Sequence, residues 1–214
     1  MGKTVTRKQV VELRKEFAAD PSNRVAQNAV TNVQLPDLTL NRDLVQDIDD
    51  SFSTKLDEWK VTAQMKSGRC WLFATLNLFR VGAMKKMNLK NFEFSQAHTH
   101  FWDKFERSNH LLEAIIDTAG RPVNDRPIHF LLSDPIGDGG QWNMAMNLIR
   151  KHGLVPMSAY PESNSSSATR WMNAELRNML RSSACEIRAI IDGGGSVEEA
   201  RAHKEKRIAD IWNM

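Results

Sequence analysis

The stretch "QMKSGRCWLF", Gln64 to Phe73, sets a lone cysteine directly before a tryptophan, six residues after a glutamine and on the lip of an apolar run. From Cys70 to Met87 that run, "CWLFATLNLFRVGAMKKM", is apolar nearly all the way round at first and turns basic at Arg80, Lys85 and Lys86. The pattern predicts a helix buried at its N-terminal end, with cations at its C-terminal end, where the helix dipole favours them. Cys70 then stands where a glycine-containing loop becomes helix, with its sulfur at the positive end of the dipole, a place that favours thiolate. A cysteine nucleophile also needs a base, an oxyanion hole and shelter from water. Gln64 lies far enough back for its amide to aim at the same point as the Cys70 N–H, giving two oxyanion donors. Gly68 leaves room for a substrate backbone, and Trp71 is placed to cover the site. Position alone favours a plainer reading, a small hydrophobe buried at a helix start. The Gln, Gly and Trp at these spacings reverse that preference.

The rest of the composition bounds the alternatives. A 214-residue chain with 41% hydrophobic and 26% charged residues has the make-up of an ordinary globular protein and is long enough for a sizeable core. The net charge of +3 is spread over the length, too weak to point to nucleic acid. The one basic run, "RAHKEKR", is interrupted by acid and has no binding motif around it. No apolar stretch is long enough for a membrane span, and the N-terminus lacks the apolar core of a secretory signal, so a cytoplasmic chain is expected. The two cysteines, Cys70 and Cys185, form no disulfide framework, and no Cys-x-x-Cys or His-x-x-x-His is present to hold a metal, so no cofactor is expected.

Along the chain, Thr6 caps a helix predicted over 7–19, with Pro21 just past its end. Residues 21–41 read as an extended arm leading into a helix over 42–52, and "STKLDEWKVTAQMKSGR" reads as a loop. Ser95 caps a long helix that stops at Gly120. The Pro- and Gly-rich segment after it predicts loops around one short helical turn, and a helix over 141–151 ends before Gly153. A helix over 167–191 closes at Gly193 to Gly195, and Ser196 with Glu199 forms a capping box for one more. That helix ends on Ile211 and Trp212, apolar residues expected to be exposed and in want of a partner.

Several strings together resemble the bleomycin hydrolase (aminopeptidase C) family of papain-like cysteine peptidases. They are "SGRCWLFA" after Gln64, "VAQNAV" at Val25, "FSTKLDEW" at Phe52, "FEFSQA" at Phe92, "FWDKFER" at Phe101, "DGGQW" at Asp138 and "YPESNSSSATRWMN" at Tyr160. The resemblance implies an α+β papain-like fold, a thiol mechanism without metal, removal of N-terminal residues from peptide substrates, cytosolic location and homo-oligomers, typically hexamers. It makes Cys70 the nucleophile and Gln64 the oxyanion donor, and it places Gly139 and Gly140 beside the substrate backbone. Relatives carry Asn or Asp before the glutamine and Lys-Ser after it, where this chain has Ala63, Met65 and Lys66.

The base is the missing part. The family takes its catalytic His and Asn from the C-terminal half, and nothing here resembles that region. His98 and His100 point to different faces of one helix. His110 follows Glu106 by one turn and suggests an ion pair, while His129, His152 and His203 stand in a loop, at a helix end and on a charged helix. The expected architecture is therefore the helical lobe of a papain-like protein lacking its β-rich lobe. Residues 1–60 form an N-terminal arm with helices, 61–191 the lobe, and 192–214 the start of a truncated helical segment. A non-catalytic binding or assembly module of the same descent is the alternative.

Overall fold

Thr6 does close a capping box, its hydroxyl accepting from the Gln9 N–H at 3.3 Å while the Gln9 side chain accepts from the Thr6 N–H at 2.8 Å, and α1 (Arg7–Ala19) follows. The computed structural model describes residues 4–49, 51–53 and 60–214 and divides into two units, Met1–Lys55 and Leu56–Met214. In the first unit, the expected extended arm is instead a helix, α2 (Pro21–Asn32). Asp20 caps it by accepting from the Ser22 N–H at 2.9 Å, and Pro21 occupies the first helical position, where a missing N–H costs nothing. The proline that stops α1 thus starts α2. Two short helices follow, α3 (Leu35–Leu38) and α4 (Arg42–Gln46), the latter ending well before Phe52. No residue of α1–α4 is buried. Asp50 and residues 54–59, read as helix end and loop, lie outside the described residues.

The second unit carries α5 (Cys70–Met87), with the predicted limits. Asn88 ends it in the left-handed conformation at φ 52°. Arg80 does not join Lys85 and Lys86 as a surface cation: it is 2% exposed and donates to the Lys60 carbonyl at 3.3 Å. Helix α6 (Gln96–Asp117) is capped by Ser95 as expected. Helix α7 (Arg126–Ser133) is longer than one turn and takes in His129, and α8 (Trp142–His152) stops at Gly153, whose φ is 72°. The helix expected over 167–191 is α10 (Arg170–Asp192), starting three residues later, and a short α9 (Asn164–Ser167) precedes it. Between them, Lys66 bridges Ala168: its N–H donates to the Ser167 carbonyl at 2.9 Å and its carbonyl accepts from the Thr169 N–H at 3.3 Å. The Ser196–Glu199 box opens α11 (Val197–Asn213).

Helix α6 is the spine. Leu111, Leu112, Ile115 and Ile116 pack on Leu180, Ala184 and Ile187 of α10 and on Ala200, Ile208 and Ile211 of α11. Nearer its start, Trp102 meets Trp71 and Leu72 of α5 and Ala145 and Leu148 of α8. Ile211 is therefore core rather than exposed, and Trp212, half-exposed, sets its ring edge-on to Phe101 and Phe105, each at 5.3 Å. Residues 192–214 belong to this body through that packing. Among the described residues, no helix is long and apolar enough to cross a membrane.

Replacing Ile115, wholly buried where α6 faces α10, by Ala is expected to cost about 2–5 kcal/mol in denaturant unfolding. Val10→Ala on α1, where nothing is buried, is expected to change stability by no more than about 0.5 kcal/mol.

Candidate active site

Cys70 is the first residue of α5 and is exposed. Among the described residues, its backbone N–H and its sulfur have no hydrogen-bond partner. Arg69 before it is the N-cap without a side-chain cap bond, its carbonyl instead accepting from the N–H groups of Leu72 and Phe73 at 2.9 and 3.1 Å. The preceding loop turns tightly. Met65 takes φ 54°, a costly value for a residue with a Cβ, and the Ser67 hydroxyl donates to the Gln64 carbonyl at 2.6 Å. Lys66, one of the departures from the family's residues, serves here through its backbone, which any residue supplies.

Two carboxylates hold this loop. Arg69, wholly buried, makes a bidentate pair with Glu162 at 2.8 and 3.0 Å and donates from Nε to the Ser67 hydroxyl at 2.8 Å. Glu162 also accepts from Ser166 at 2.6 Å. Burial alone would raise its pKa, but the Arg69 and Ser166 bonds outweigh that and hold it below the usual carboxylate range. Asp138 is the second. It accepts from the Gly68 N–H at 3.1 Å, from Lys104 at 2.6 Å, from Asn173 at 2.7 Å and from the Thr169 hydroxyl, with His100 Nε2 at 3.5 Å. Burial again pushes its pKa up, and the nearby His100 with the bonds from Lys104, Thr169 and Asn173 pull it far below the normal Asp value. The Asp138 carbonyl accepts from Trp71 Nε1 at 2.8 Å.

These contacts place the sequence-predicted residues. Gln64 is half-buried at the start of the loop. A Cβ on Gly68 would lie 2.8 Å from the Asp138 Cβ, so this glycine permits the approach of the two segments. Trp71 turns its indole inward against Gly140, where a Cβ would come within 2.5 Å of the ring. Gly139 has open space around it, and its carbonyl accepts from Arg107. The Gly140 N–H and C=O have no partner among the described residues. Arg69, Asp138 and Glu162 were not singled out in the sequence. Their signal is a charge flanking a cysteine, a glycine pair and a Tyr-Pro turn, respectively.

Three of the histidines are engaged elsewhere. His98 accepts from Trp102 Nε1 at 3.1 Å, and burial lowers its pKa. His152 stacks on Trp102 at 3.8 Å and bonds Glu106 at 2.8 Å. Glu106 thus pairs with His152 and Lys151 rather than with His110. His203 bonds Glu186 at 2.7 Å.

A Peptidase C1-like family model matches residues 4–214. The chain belongs to that family. It is 39% identical over 214 residues to aminopeptidase C of Lactobacillus delbrueckii subsp. lactis, covering 100% of this chain and 48% of that protein. It is 38% identical over 210 residues to human bleomycin hydrolase, covering 96% and 46%. The crystal structure of PepW from Lactobacillus rhamnosis HN001 aligns with a TM-score of 0.88 at 37% identity, over 100% of this chain and 48% of that one. The chain spans about half the length of these relatives.

Gly140→Ala is expected to cost about 1–3 kcal/mol through its clash with Trp71, and Gly139→Ala to stay within about 0.5 kcal/mol, both read by denaturant unfolding. The depressed Asp138 pKa stabilises the fold fully above the ordinary Asp value of 3.8, and that stability is lost as pH falls below it, because the unfolded chain binds the proton first. The unfolding midpoint should fall as pH drops below about 4, and less steeply in Asp138→Asn.

Proposed function

We propose that this chain is the nucleophile-bearing helical lobe of an α+β papain-like cysteine aminopeptidase. The observation that carries the reading is the exposed Cys70 at the first position of α5 with an uncommitted backbone N–H. Family membership and the alignment over the whole chain support it.

In this reading a peptide lies extended along Gly139 and Gly140, whose second member offers a donor and an acceptor. The Cys70 sulfur attacks the carbonyl carbon of the N-terminal residue, forming a C–S bond while the carbonyl π pair moves onto oxygen. The oxyanion takes hydrogen bonds from the Cys70 N–H and the Gln64 amide. Collapse expels the shortened peptide as an amine, and water then hydrolyses the thioester. Proton transfer from the thiol to the leaving amine belongs to a His, oriented by an Asn, in the half of the family's length that this chain does not span. The face of α5 bearing Cys70, Ala74, Leu78 and Gly82 is exposed and almost without charge, and it is where the second, β-rich lobe packs. Peptide substrates, cytoplasmic location and a homo-oligomer, hexameric as in the bleomycin hydrolase type, complete the proposal.

Both cysteines are exposed, so their contrast isolates chemistry from access. Iodoacetamide or an epoxide probe is expected to modify Cys70 at least about tenfold faster than Cys185, followed by peptide mass spectrometry. Equal slow labelling would leave the binding or assembly module as the better description.

A further inference from the structure

Dipole and loop chemistry account for a thiol at the start of α5, but not for how the Gly139–Gly140 edge is held beside it. Asp138 joins the two. Its carboxylate accepts from the N–H of Gly68, two residues before Cys70, and its carbonyl accepts from the indole of Trp71, one residue after. The same residue leads directly into Gly139. Behind it, Lys104 and His100 come from α6, Asn173 from α10 and Thr169 from that helix's N-cap. Resting on the reading of Cys70 as nucleophile, we propose that Asp138 is a positioning residue: it grips both flanks of Cys70 and fixes them to the glycine edge as one rigid piece. It touches neither the sulfur nor the scissile carbonyl, and acts through the backbone on which both depend.

A carboxylate is what the position requires. Every group converging on it is a donor or a cation, and a carboxylate presents only acceptor sites. An amide would turn its NH₂ toward Lys104 and Asn173 in one orientation or toward the Gly68 N–H in the other, and would take from the buried ammonium the carboxylate it is bonded to.

The test uses the full 214-residue chain, with iodoacetamide modification of Cys70 and Cys185 followed in one sample beside thermal unfolding. Asp138→Ala with Lys104→Met removes the grip without leaving a buried lone charge, and Trp71→Phe keeps an aromatic ring at the position while deleting the indole N–H that binds the Asp138 carbonyl, together with part of the indole packing. The ratio of Cys70 to Cys185 rates is expected to fall about tenfold in the first and severalfold in the second, with the Cys185 rate unchanged. A merely structural role lowers the unfolding temperature and leaves the ratio within about twofold, which overturns the proposal. Should the double variant unfold, Trp71→Phe decides alone. A wild-type ratio near one overturns the nucleophile reading itself, and the positioning role with it.

Discussion

A largely buried carboxylate that must collect its donors from three parts of the chain is the constraint on which this molecule turns. Asp138 without Lys104, Thr169, Asn173 and the Gly68 N–H would be a charge in a place where charges are costly. The fold satisfies it only when α6, the start of α10 and the loop before α5 are all in position at once. The requirement therefore ties the packing of three helices to the geometry of one thiol.

Helix α6 makes this possible because it has two different seams. Its later turns supply the aliphatic contacts to α10 and α11, which give the body its core. Its earlier turns carry His100, Trp102, Asp103, Lys104 and Arg107, which face α5, α8 and the glycine segment. The second carboxylate, Glu162, does for Arg69 what Asp138 does for Gly68, and the Lys66–Ala168 bridge adds a backbone link between the same two segments. Site and scaffold are not separate layers here, since the residues that organise the thiol loop also close the body.

Local signals were legible in the sequence and distant ones were not. Thr6, Ser95 and the Ser196–Glu199 pair announce helix starts because a cap is completed within three residues. The limits of α5 follow from its unbroken apolar run. The later start of α10 has a distant cause, since Lys66, which bonds the backbone at Ser167 and Thr169, lies about a hundred residues earlier. Arg80 and Ile211 were misplaced for a related reason: burial is decided by what packs on a helix, which periodicity within the helix does not report. Pro21 misled because proline stops one helix and starts another by the same loss of an N–H. Cys70, Gln64 and the glycines could be singled out from spacing and family likeness. Asp138 and Glu162, which bind the loop, are single acids whose partners only the fold brings near.

The loop's bonds also have a long reach. Gly68 reaches Asp138 across 70 residues and Arg69 reaches Glu162 across 93, whereas the capping boxes close across three. Closing long loops is entropically costly and comes after local structure has formed. The bonds that shape the loop bearing the thiol therefore carry a closure cost that the helix caps do not. The same separation in sequence that hides the clamp from a reader of the chain makes the shape of the thiol loop depend on the body around it, where a helix start depends only on its own first turn.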